Sequence, residues 1–305
     1  MGQVIVVGSI NVDHRVVVEH FPAPGETILS SVHGIGAGGK GANQAVAARR
    51  AGARSRLLGA VGNDRDGRHM LAVLDDAGVE RDGVTVVDGP ATGAAYVLVN
   101  AEGENSIVVA PGANHHLAEQ HVIAALGRIP RGTPVLFQLE IAEQTVLRAM
   151  AAASAAGGVV LLNAAPAPRS IDGLLEFVDV LLVNEGELNA IAEAAGIRPD
   201  HEPVRLAEDL VQRLGIVVVC TLGSRGAFAV TAEGVFEQRA PRVDVVDTTG
   251  AGDTFAGYLA AALAEETPMY RAIERAVAAA SLTVAQPGAL ESIPHAAQLE
   301  AIASR

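Results

Sequence analysis

The strongest constraint on the fold is a series of short apolar runs, each too brief for a helix and each ending in polar residues or glycine. Val4 to Val7 runs into Gly8-Ser9-Ile10-Asn11-Val12-Asp13, and the run from Val135 ends at Glu140. Val159 to Asn163 leads into Ala164-Ala165-Pro166, and Val178 to Val183 into Asn184-Glu185-Gly186-Glu187. Ile216 to Cys220 leads into Thr221-Leu222-Gly223-Ser224-Arg225-Gly226, and a further run spans Ser55 to Ala60. Unbroken Val, Ile and Leu marks strands buried on both faces, as in a parallel sheet. Stretches of helical composition, among them Arg65 to Ala77, Thr254 to Ala264 and Met269 to about Ala285, separate or follow the runs. The alternation predicts an α/β fold: a central, mostly parallel sheet flanked by helices. The polar strand ends then share one edge, where open α/β sheets place ligands.

Two patches break this pattern. Residues 14–36 contain Arg15-Val16-Val17-Val18 and Thr27-Ile28-Leu29, punctuated by Pro22, Pro24 and Gly25, and residues 94–109 hold two more β-rich runs. They read as short antiparallel strands. A small separate β-sheet acting as a lid is the economical arrangement, within one domain spanning 1–305.

Composition sets outer bounds. Half of the 305 residues are hydrophobic, yet there are no Trp, three Tyr and six Phe, so Ala, Val, Leu and Gly must fill the core. A net charge of −13 argues against a nucleic-acid partner, which selects a basic face. No signal sequence or membrane-spanning apolar run is evident, so no membrane association and a cytoplasmic location are expected. Cys220 reads as a buried strand residue, and His115, His116 and His121, without partners at ligand spacing, read as surface histidines.

Two glycine-rich stretches carry chemistry. Asp247-Thr248-Thr249-Gly250-Ala251-Gly252-Asp253-Thr254 follows Val243 to Val246, which has strand composition, and precedes a helical stretch. Gly250 and Gly252 permit unusual backbone and close ligand approach. The unpartnered N–H groups and the dipole of a helix start make an anion site. Asp253 alone would read as a cap. A cap needs only one acid, however, and Asp247 and Asp253 bracket the turn. An acid beside an anion hole is what phosphoryl transfer to an alcohol requires.

In the second stretch, Gly34, Gly36 and Gly39 match the dinucleotide fingerprint, but they follow a lid-like strand and lack an acid about 20 residues further on. Gly41 stands where a P-loop needs Ser or Thr. What is left is a glycine turn opening an Ala-rich helix, with Lys40 and Asn43 neighbours on one face. A lysine at a helix N-terminus opposes the dipole, which points to a task other than stability.

With Gly38-Gly39-Lys40-Gly41-Ala42-Asn43-Gln44-Ala45 in the first stretch and Asp247 to Phe255 in the other, the chain resembles the ribokinase (PfkB) family of sugar and nucleoside kinases over its whole length. The resemblance implies a ribokinase-like three-layer sandwich and ATP-dependent phosphorylation of ribose at O5. It implies Asn11, Asp13, Gly39, Lys40, Asn43 and Glu140 around the sugar hydroxyls, with Asp253 as the base on O5. Gly250, Ala251, Gly252 and Asp253 would offer N–H groups to the transferring phosphoryl. Asn184 and Glu187 would lie by the triphosphate and its Mg2+. Thr221, Gly223, Ser224 and Gly226 would lie along the nucleotide, with Val277 against the adenine. Asp247, Thr249, Thr283, Gln286, Gly288 and Ser292 would surround a monovalent cation, usually K+ in the family, mostly through carbonyl oxygens. Two other readings stand beside this one: a related kinase acting on 2-deoxyribose, another small sugar or a nucleoside, and a non-catalytic sugar-binding regulator. Exposed lid strands further predict a homodimer paired through the lid.

Overall fold

A computed structural model of the chain describes residues 2–303 except 31, 103, 169 and 199–201. The first part comprises β1 (Gln3–Val7), β2 (Asn11–Val17), β3 (Val32–Gly38), α1 (Lys40–Arg50), β4 (Arg54–Gly62), α2 (Arg65–Asp76), β5 (Glu80–Val87), β6 (Gly93–Val99) and β7 (Asn105–Ala110). Next come α3 (Glu119–Leu126), β8 (Pro134–Phe137), α4 (Glu143–Ala155), β9 (Val159–Asn163), β10 (Val180–Asn184), α5 (Glu185–Ala194) and α6 (Pro203–Leu214). The last part holds β11 (Val217–Thr221), β12 (Ala227–Thr231), β13 (Gly234–Gln238), α7 (Ala251–Ala264), α8 (Met269–Thr283) and α9 (Ala296–Ala303).

The main sheet is nine-stranded, in the order β13-β12-β11-β10-β9-β8-β1-β4-β5. Every pair from β11 to β5 is parallel, and the β11–β12 and β12–β13 pairs at the other end are antiparallel. Successive strand side chains point to opposite faces, so Val4 and Val6 join one core while Ile5 and Val7 join another. The first core is closed by α1, α2, α7 and α8, the second by α3, α4, α5 and α6. The expected sandwich of helix, sheet and helix is present. Where large side chains are scarce, helices approach closely: a Cβ on Gly257 of α7 would sit 2.5 Å from Ala47 Cβ and 2.6 Å from Gln44 O, both on α1. That closeness carries α1 side chains to the start of α7.

The second sheet, ordered β3-β2-β6-β7, is the small separate sheet expected of the residues read as a lid. It is not wholly antiparallel, because β2 and β6 pair in parallel. Thr27 to Leu29 forms no strand, and Leu29 is almost fully exposed. The neighbouring Pro22 and Pro24 lack the N–H a ladder needs. Gly34, Gly36 and Gly38 lie inside β3 and not in a turn. The run ending at Glu140 leaves the sheet after Phe137. Val243 to Val246 is not a strand either. Val246 N–H donates to Val284 O at 2.8 Å, and Val243 and Val245 line a cavity, so their apolar character faces a ligand-sized space. Among the described residues no helix is long and apolar enough to cross a membrane.

Candidate active site

Helices α1, α5 and α7 all begin at the edge of the sheet where the parallel strands end, around a pocket of about 230 Å³ lined by Lys40, Asn184, Glu187, Gly250, Gly252 and Asp253. Gly250 precedes α7 with φ 76°, a region that favours glycine, and a Cβ there would press on the Ala289 backbone at 3.1 Å. No side chain caps the first turn of α7. Ala251 N–H reaches Thr248 O only at 3.4 Å, so the donors at this end are weakly used. A Cβ on Gly252 would meet no protein atom within 4 Å. Protein packing therefore gives no reason for glycine at 252, whereas a closely held anion does.

Asp253 lies in that first turn but turns away from the cap position. It is buried, with Oδ2 accepting from Asn43 Nδ2 at 3.0 Å and Oδ1 from Gln44 Nε2 at 2.9 Å. Asn43 Oδ1 is buried and has no partner. Close by, Glu140 Oε2 accepts from Ser9 Oγ at 2.6 Å and from Lys40 N–H at 3.4 Å. Gly39 takes φ 89° just before Lys40, and a Cβ there would meet Asn11 N at 2.6 Å. Asn11 and Asp13 project to one side of β2, as alternation requires. Asn11 Oδ1 accepts from Asn114 Nδ2 at 2.7 Å, so Asn11 is tied into the bend that Asn114 also fixes through Ile10. Gly38 makes room for Asp13, since a Cβ there would lie 2.3 Å from the carboxylate.

The charges of this region are coupled. Burial, and then the carboxylates of Glu140, Asp253 and Glu291, push Asp13 up to about 7, with Lys40 opposing. Lys40 is held above its ordinary range chiefly by Asp253, against the effect of burial. Burial also raises Glu187, which the Asn184 N–H and Lys40 partly offset. One half-buried lysine thus stands among several carboxylates. This explains why a cation is tolerated at the positive end of α1.

Asn184 and Glu187 form a reciprocal capping box on α5, each side chain accepting from the other's backbone N–H at 2.8 Å. Asn184, Thr221, Gly252 and Phe255 also border a larger cavity of about 920 Å³. Gly223, Ser224 and Gly226 line one wall of it, and Val277, Ala280 and Val284 line another that is mostly apolar. A third cavity of about 490 Å³ lies under the lid, with Asp13, Arg15, Gly36, Asp247, Thr249 and Glu291 in its walls. Thr248 borders all three.

Asp247 does not bracket the glycine turn in partnership with Asp253. Its Oδ1 accepts from Thr249 N–H and Oγ1 at 2.9 and 2.6 Å, and its Oδ2 from Gly288 N–H at 3.2 Å. Burial acts to raise its pKa, but these bonds and Arg15 outweigh it and hold the carboxyl below the usual range. Asp247, Thr249 and Gly288 are therefore brought together. Thr283 Oγ1 donates to Ala279 O and contacts Thr254 Oγ1, Ser292 Oγ donates to Ala289 O, and Gln286 N–H donates to Thr283 O. These hydroxyls are committed internally. Arg50 pins the same loop by donating to Leu290 O and Ile293 O at 2.9 and 2.6 Å.

Cys220 is buried in β11, and burial pushes its thiol up to about 12, which removes it as a nucleophile. His115, His116 and His121 are exposed. Ser9, Gln44, Asn114 and Gln138 contribute bonds to the site without having stood out as site residues. For Gln44 the signal was its place beside Asn43 in the glycine motif, and for Gln138 its place at the end of a parallel strand.

The chain matches the pfkB family carbohydrate kinase profile over residues 1–296. It is 38% identical to a ribokinase of Haemophilus influenzae over 292 residues, which covers 95% of this chain and 94% of that one. The fold superposes on the crystal structure of a ribokinase from Thermotoga maritima with a TM-score of 0.90 at 31% identity, covering 100% of both chains. It is likewise similar to an Arabidopsis thaliana ribokinase complexed with ribose and ATP, with a TM-score of 0.85 at 31% identity, covering 99% of this chain and 98% of that one. The chain belongs to the PfkB family of carbohydrate kinases.

Proposed function

We propose that this protein transfers the terminal phosphoryl group of ATP to the O5 hydroxyl of ribose. The observation that carries the proposal is the start of α7: uncapped N–H donors and an open Gly252 beside a buried carboxylate that is not used as a cap. ATP would occupy the 920 Å³ cavity, adenine against Val277 and its apolar neighbours and phosphates toward Gly252. Ribose would bind among Asn11, Asp13, Gly39, Lys40, Asn43 and Glu140. The partnerless Asn43 Oδ1 suits a hydroxyl donor. Asp253 would take the O5 proton as the phosphoryl passes, and the N–H groups of Gly250 to Asp253 would stabilise charge on its oxygens. Polar groups left unpaired by a wrong acceptor penalise it heavily.

The donor sets also fit two cations. Glu187, with Asn184, would hold Mg2+ jointly with the phosphates, since Mg2+ needs only one or two carboxylates beside substrate oxygens. Asp247, Thr249, Thr283, Gln286, Gly288 and Ser292 would hold K+ through carbonyl oxygens, the hydroxyls being committed elsewhere. Bound cations supply fixed positive charge beside the phosphates and the anion hole. The lid supports pairing with a second copy: Ile35, Tyr96 and Val108 stand in one row across β3, β6 and β7, each well exposed. Light scattering should give a dimer, and Val108→Lys a monomer.

The activity is tested by ADP formation with ATP and Mg2+ on ribose, 2-deoxyribose, fructose and adenosine, with and without K+. Ribose-dependent turnover stimulated by K+ is the expected result. Turnover on another acceptor alone would move the substrate and keep the chemistry. Ribose binding without turnover on any acceptor would make the protein a regulator.

A further inference from the structure

We infer that Gln44, oriented by Gln138, is a positioning residue that aims the Asp253 carboxylate at the acceptor hydroxyl. This rests on the reading of Asp253 as the base. Gln44 and Gln138 are fully buried, and neither lines any of the three cavities described above. Any influence they have on the acceptor therefore runs through Asp253. Two amides buried this deeply cost stability unless their bonds are made, and Gln138 Oε1 has none. Packing alone gives no reason to keep them.

Their bonds run in one direction. Gln138 Nε2 donates to Gln44 Oε1 at 2.6 Å, and Gln44 Nε2 donates to Asp253 Oδ1 at 2.9 Å and to Asn163 Oδ1 at 3.0 Å. Asn163 is oriented in turn, its Nδ2 donating to Leu182 O at 3.4 Å. Turning the Gln44 amide over would set its oxygen against two other oxygens and its nitrogen against the Gln138 nitrogen. The Asp253 and Asn163 oxygens thus select the nitrogen end of Gln44, and Gln138 holds its oxygen end in place. Space for this arrangement is built in, because a Cβ on Gly8 would lie 1.8 Å from Gln138 Oε1. The close α1–α7 approach at Gly257 brings Gln44 within reach. With Asn43 on the other oxygen, the carboxylate is held at both ends by amide donors.

The test compares Gln138→Met, Gln138→Glu, Gln44→Leu and Asp253→Asn for ribose kinase kcat and KM, ribose affinity by calorimetry, and melting temperature. Gln138→Met removes only the orienting donor, and kcat should fall about three- to ten-fold. Gln138→Glu introduces an acceptor that draws the Gln44 amide round, so kcat should fall further, on the order of 100-fold. Gln44→Leu should match it. Ribose KM and affinity should stay within about three-fold throughout, because the sugar contacts are intact. Equal losses in the two Gln138 variants that follow their melting temperatures, or KM rising in step with the loss of kcat, would overturn the inference. Full turnover in Asp253→Asn would remove the base reading and this inference with it. An inactive Asp253→Asn beside wild-type kcat in the three glutamine variants would leave the base standing and sink the positioning role alone.

Discussion

Helices α5 and α7 line the same small pocket, yet their first turns are finished in opposite ways. On α5, Asn184 and Glu187 satisfy each other's backbone donors at 2.8 Å. On α7 no side chain does so, although Asp253 stands at a position that could. Its carboxylate is instead held sideways by Asn43 and Gln44. A cap contributes about 1 kcal/mol, so the α7 arrangement gives up stability that the α5 arrangement keeps. Helix α1 is intermediate: a glycine with positive φ precedes it, but its first N–H groups are taken by the Glu140 carboxylate and by the hydroxyl and carbonyl of Ser9. The difference separates helix starts whose donors the fold itself satisfies from one, α7, that leaves them open.

The largest effect that could break this contrast is expected at Asp253. Asp253→Asn should lower kcat on the order of 1,000-fold or more while ribose binding survives in calorimetry. Near-normal turnover would make Asp253 a purely structural residue. Next comes Gly252. Gly252→Ala should raise stability by about 0.5–1 kcal/mol in denaturant melts, as alanine is the better helix former. The same methyl fills the space proposed for the nucleotide, so kcat/KM for ATP should fall about ten-fold. A variant that is more stable and equally active would show that the open space has no occupant.

Asp13 gives a pH-dependent test of intermediate size. Its carboxyl is raised to about 7 in the fold, from the 3.8 of an unperturbed side chain, mainly by burial. The folded protein thus holds this proton more tightly than the unfolded chain, and the fold loses stability as pH rises from about 4 to 7. Asp13→Asn removes the penalty, so it should melt about 2–4 °C above the parent at pH 8, with the gap closing toward pH 4. In the parent, ribose KM should rise as pH falls below 7, because the proton blocks an oxygen that accepts from a hydroxyl. In the variant it should be higher but flat. A parent KM that ignores pH across this range would place Asp13 away from the sugar.

The smallest effects belong to α5. Asn184→Ala should cost about 1 kcal/mol of stability. Glu187→Gln should leave melting nearly unchanged, since Gln also completes a capping box, yet raise the Mg2+ concentration needed for half-maximal rate. Unchanged Mg2+ dependence would leave α5 with capping as its whole role.

The parallel strands were legible because buried Val, Ile and Leu runs have few other uses, and Gly250 and Gly252 were legible as a helix-start turn. Val243 to Val246 misled for the same reason: a β-branched run that lines a cavity has the composition of one that lines a sheet. Lys40 was conspicuous because it opposes a helix dipole. Gln44 and Gln138 were not, because nothing local distinguishes a buried amide from an exposed one. Only the crossing of α1 with α7 and the ending of β8 bring them together. Asp247 was seen as half of an acidic pair, and its actual partners, Thr249 and Gly288, include one 41 residues away.

The ring stacking on the lid has a practical consequence. The chain has no tryptophan and three tyrosines, so its ultraviolet emission comes from very few places. Tyr258 is sealed in the core with its hydroxyl on Pro294 O, and Tyr270 sits on α8 beside Arg271. Tyr96 lies on the lid, stacked on His14 with ring centroids 5.2 Å apart, and His14 is the neighbour of Asp13 on β2. A sugar that engages Asp13 therefore acts one residue from a natural fluorophore. The proposed acceptor site would then carry an unlabelled optical gauge of its own occupancy.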